Sequence, residues 1–192
     1  TQGVPGPLVR SLYTSRSGQP VFGMGTFNVD HTSPFSQRWG GYYVTGTHGT
    51  MQHMGNKFFT ETSTPGPPDL TAGSNITHLD NFLNTAPYLS RHSDLVALMV
   101  LEHQVQMQNL LTLAQFEEFT ATHYDETLNK NIGRPRNFQS DLTRRRIERV
   151  GEKLVRYLFF ADEFPLQSPV QGTSGFSAHF AQQGPHDRQG RS

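Results

Sequence analysis

The sequence predicts a mainly α protein with a small N-terminal β hairpin and extensive irregular loops. Three observations carry that expectation. Apolar residues recur at helical spacing over a long stretch after Ser90. A shorter amphipathic stretch follows Ser140. The remainder is interrupted by 18 glycines and 12 prolines in 192 residues, of which only 34% are hydrophobic, a composition that favours irregular structure around a modest core.

The first thirty residues read as extended. LVRSLYTS (8–15) and PVFGMGTFNV (20–29) flank RSGQ, a turn signal, so a hairpin is expected. Gly23 and Gly25 alternate with Phe22, Met24 and Thr26, which points to a bulge or a close backbone approach. Residues 30–54 hold no sustained period, and residues 60–77 (TETSTPGPPDLTAGSNIT) read as a polar loop. Asn75-Ile76-Thr77 matches a glycosylation triplet, one that also arises often by chance.

A helix of about 30 residues is expected from Ser90 or Ser93, either one a good N-cap, with Asp94 in its first turn. LVALMVL (95–101) is apolar all round, as in a helix threaded through a core. Its pattern fades near residues 129–133, and Pro135 marks the stop. A second helix is expected from Ser140-Asp141 to before Pro165, burying Ile147, Val150, Leu154, Val155, Leu158 and Phe159. Its arginines read as a solvated face with ion pairs. A short third helix is expected after Thr173 or Ser174, stopping at Gly184.

Residues 1–192 are long enough for one domain, read as a fragment or processed part of a longer protein because the chain opens at Thr1 and ends in GPHDRQGRS. A formal net charge of zero argues against nucleic-acid binding. No run reaches the roughly 18 consecutive apolar residues of a membrane span. With no cysteine, disulfides, thiolate metal sites, a cysteine nucleophile and covalent haem attachment are excluded within these residues.

GGYYVTGTHGTMQHMGN (40–56) concentrates His48, His53, Met51 and Met54 among glycines. The two histidines are not at the helical spacing of a zinc protease, yet a loop wrapping one ion could bring both rings to it. A structural role for each remains the alternative. His103 shares a helical face with Val96, Met99, Met107, Leu110 and Ala114, so burial is expected, with either a loop carbonyl or a metal as its partner. Glu102 lies about 100° round the helix from His103 and forms, with Gln106 and Asn109, a polar ridge beside the apolar one. His48, His53 and a carboxylate from Asp30 or Glu102 would suit a two-histidine, one-carboxylate iron site. Neither a GxSxG nucleophile elbow nor a phosphate-binding GxxxxGK[ST] loop is present.

RWGGYYVTGTHGTMQHMGN, SRHSDLVALMVLEHQVQMQNLL, KLVRYLFFADEFPL, GTSGF and GPHDRQGRS resemble, in the same order, an uncharacterised group of bacterial exported proteins related to c-type cytochromes. In that group a CxxCH haem-attachment motif precedes the segment resembling TQGVPG; this cysteine-free chain lacks it. The resemblance implies haem chemistry near the hairpin and residues 40–56, and a periplasmic or otherwise exported location. Because haem iron takes His or Met axially, ligand chemistry nominates His48, His53, Met54 and His103 as cofactor-binding residues, and His48, His53 and His103 as metal ligands.

Three readings follow. The first is an exported haem-associated module for electron transfer or redox sensing, with a His or Met of this chain as axial ligand. The second is a mononuclear non-haem enzyme holding a single Fe, Cu or Zn ion. The third is a cofactor-free structural or interaction subunit of a larger assembly with protein partners.

Overall fold

The computed structural model describes residues 3–15, 17–57, 59, 69, 71–184 and 188–190. Most of the expected polar loop (60–68 and 70), the opening residues 1 and 2, and residues 185–187, 191 and 192 of the C-terminal stretch lie outside the described residues. Among the described residues the chain is mainly α with two small antiparallel sheets.

The hairpin forms where RSGQ predicts it. Strands β1 (Arg10–Leu12) and β2 (Thr26–Asn28) pair antiparallel, with Ser11 opposite Phe27, and Thr14 bridges to Pro20 nearer the turn. The second sheet had no signal in the sequence: β3 (Gly46–Thr47) pairs with β4 (Gln171–Gly172). Helix α1 spans Leu95–Ile132, α2 spans Asp141–Leu158 and α3 spans Phe176–Gln183. No helix among the described residues is long and apolar enough to cross a membrane.

The start of α1 corrects one expectation. Neither Ser90 nor Ser93 caps it; Asp94 does, its Oδ1 accepting from the amides of Val96 and Ala97 at 2.9 and 3.3 Å. A carboxylate at this position satisfies two otherwise orphaned amides and meets the positive end of the helix dipole. Ser140 caps α2 as expected, accepting from Thr143 N.

The chain forms two compact units: residues Val9–Glu102 with Phe164–Ser192, and residues Thr1–Leu8 with His103–Glu163. In the first, Phe35, Trp39, Val44, Met51 and Leu95 form the core, and Tyr42, Leu98, Met99, Phe164 and Val170 pack against it. Of the apolar 95–101 run, only Leu95 is fully buried, and Leu101 is exposed. Glu102 is fully buried instead.

The second unit is an antiparallel helical hairpin. Arg146 pairs with Glu117, Thr143 Oγ1 donates to Ala121 O, Asp125 accepts from Ser140 N, and Asn129 Nδ2 donates to Phe138 O. As the number on α1 rises, its α2 counterpart falls. Residues 3–8 lie along α1, where Asn109 Nδ2 donates to Pro7 O at 2.8 Å and a Cβ on Gly6 would overlap the Asn109 side chain. Val155, Leu158 and Phe159, expected in the buried stripe of α2, are exposed; Thr143 and Tyr157 are buried in their place. The reason is geometric: one partner helix covers only a narrow seam, so much of an apolar stripe wider than that seam stays in solvent.

Candidate functional site

The 40–56 loop is shaped by close backbone approaches. Trp39, fully buried, takes a left-handed φ of 63° and Gly41 one of 82°, which turns the chain back so that Tyr42 N donates to Trp39 O. Strand β1 presses on this turn. Leu12 N donates to Gly40 O, Gly40 N donates to Ser11 Oγ, and a Cβ on Gly41 would lie 2.5 Å from Leu12 O. Gly41 therefore serves packing of main chain on main chain, whereas a Cβ on Gly49 or Gly55 would meet side chains, those of Ser168 or of Val44 and His53.

Two asparagines hold the rest. Asn56, buried at φ 63°, accepts from Val44 N and donates to Val44 O and Gly73 O. Asn75 accepts from His48 N through Oδ1, donates to Gly49 O through Nδ2, and its own amide donates to His48 Nε2 at 3.2 Å. The glycosylation triplet thus places its asparagine amide in a structural bond.

Within this frame His48 and His53 are each 1% exposed, with ring centroids 4.9 Å apart. Both rings contact Phe35, and His53 also meets Trp39 edge-on at 5.4 Å. The loop sets the two rings side by side, an arrangement the sequence left open. His53 Nδ1 accepts from Gly55 N at 3.0 Å, which assigns its proton to Nε2; His48, accepting at Nε2, carries its proton on Nδ1. Burial, followed by the proximity of His48 and Lys57, pushes the His53 pKa down to about 3. Burial also lowers that of His48, against a weaker opposing pull from the main chain at Met51 and His48. Both imidazoles are neutral at neutral pH.

Beside them lies an ion pair that sequence reasoning did not anticipate. Arg38 Nη1 meets Glu102 Oε1 at 3.0 Å, with the two side chains 2% and 0% exposed. Arg38 also donates from Nε and Nη2 to Ser33 O and from Nη2 to His31 O, and its own carbonyl accepts from Met54 N. Burial pushes the Glu102 carboxyl up to about 8 despite Arg38, and Oε2 makes no hydrogen bond among the described residues. The one available signal was a polar ridge on a helix whose apolar faces were assumed to point inward.

The other candidate ligands have partners of their own. His103 belongs to the other unit and, contrary to the expectation of burial, is half-buried, with its ring stacked on Tyr157 and Phe160 at 5.0 and 4.3 Å. Asp30 Oδ1 accepts from Thr32 N and Oγ1, while Glu102 faces Arg38. Among the described residues no group of three or more His, Asp or Glu is arranged to hold a metal ion.

The donor chemistry bears on haem and single ions alike. A neutral imidazole ligates through its unprotonated nitrogen, and in both His48 and His53 that nitrogen already accepts a main-chain amide. The Met54 sulfur accepts from Ser11 Oγ at 3.5 Å. As arranged, neither imidazole offers a free acceptor nitrogen to a metal. No protein-family model, curated protein or solved structure matches the chain.

Proposed function

We propose that this chain is a cofactor-free interaction module of a larger exported assembly. In this reading the 40–56 loop is structural, and the α1–α2 hairpin is the surface offered to partners. One contrast carries it. The acceptor nitrogens of His48 and His53 are engaged inside their own unit, whereas large apolar side chains of the hairpin stand in solvent, Phe119 73% exposed and Leu142 67% exposed. Clusters of exposed apolar residues mark interaction sites more often than chance surface composition. The exported location is supported only by the resemblance to the cytochrome-related group.

An optical spectrum and metal analysis of the intact purified protein test the reading. The expected result is no Soret band and no stoichiometric iron, copper or zinc. A Soret band or about one metal per chain, lost in His53→Ala, would overturn it.

The haem-associated module for electron transfer or redox sensing is the second reading. It is supported by the resemblance and by the neutral state of His48 and His53, the form that binds iron. It requires one ring to release its main-chain donor, and it predicts a Soret band altered by His53→Ala or His103→Ala. The non-haem metal enzyme instead predicts about one Fe, Zn or Cu per chain without haem absorbance.

A further inference from the structure

We draw no further inference here: the strongest candidate, the exposed apolar surface of the α1–α2 hairpin around Phe119 and Leu142, carries nothing, because the ion pairs beside it close within the chain and nothing in the structure shows what covers it.

Discussion

Arg38 and Glu102 form a fully enclosed ion pair, joined at 3.0 Å across 64 residues of sequence. The guanidinium donates to the carbonyls of His31 and Ser33 as well as to the carboxylate. It therefore ties the aperiodic 30–39 segment to the first turns of α1. Buried pairs of this kind add little net stability over an apolar substitute, but removing one partner strands the other charge.

Arg38→Ala should destabilise the protein by about 3–5 kcal/mol, because the carbonyls of His31 and Ser33 and the Glu102 carboxyl all lose their buried donor. The double variant Arg38→Met with Glu102→Leu should recover part of that loss. Urea unfolding of the two variants and the parent measures both. A double variant no more stable than Arg38→Ala would show that the pair acts through more than its charges.

Two buried groups give stability opposite pH dependences. Glu102 titrates near 8 in the folded chain and in the ordinary carboxylate range when unfolded. Between those values the folded form holds the extra proton, so this contribution falls as pH rises through that window. His53 titrates near 3 when folded, against an ordinary 6.5. Below 6.5 the unfolded form holds the extra proton, so its contribution is lost as pH falls toward 3. Each group acts at up to about 1.4 kcal/mol per pH unit in its own window. Urea midpoints from pH 4 to 9 should show a fall above 6.5 that Glu102→Gln removes; a parent profile flat from 6.5 to 8 would contradict the assignment.

Asp94 holds two elements at once, capping α1 through Oδ1 and accepting from Ser174 N and Oγ through Oδ2 at 2.8 and 2.6 Å. Burial raises its pKa, but the bonds from Ser174, Ala97 and Val96 outweigh that and leave it lowered. Its stabilisation is thus present above the usual carboxylate range and lost as pH falls through the folded value. Asp94→Ala should cost about 1–2 kcal/mol for the cap alone, and amide exchange should quicken at Val96, Ala97 and Ser174. Unchanged exchange at Ser174 would remove the second role.

Gly41 and Gly18 share a φ of 82° but differ in surroundings. A Cβ at Gly18 meets nothing, whereas one at Gly41 would lie 2.5 Å from Leu12 O. Gly18→Ala should cost about 1 kcal/mol for the left-handed backbone. Gly41→Ala should cost about 2–4 kcal/mol, because the β1 carbonyl must also move. Equal losses in thermal unfolding would show that strain, not the approach of β1, governs the turn.

The helices and the hairpin were legible in the sequence because their signals are local. Ser140 three residues before Thr143, Pro135 beyond α1, Gly184 after α3 and RSGQ between two extended runs each act within a few residues of the structure they shape. The pairing of β3 with β4 was not legible, since Gly46–Thr47 and Gln171–Gly172 are two-residue strands with no period to read.

For the histidine loop, the sequence by itself determined that two imidazoles and two thioethers would be confined among glycines, and that no thiolate could join them. Only the tertiary structure decided what they do there. Asn75 and Gly55 donate amides to the acceptor nitrogens of the two rings, and Arg38 draws Glu102 into the interior alongside Leu95. Hydrophobic periodicity reports which face of a helix gains by leaving water on average. It cannot report that a distant guanidinium and a set of carbonyls make a carboxylate tolerable inside.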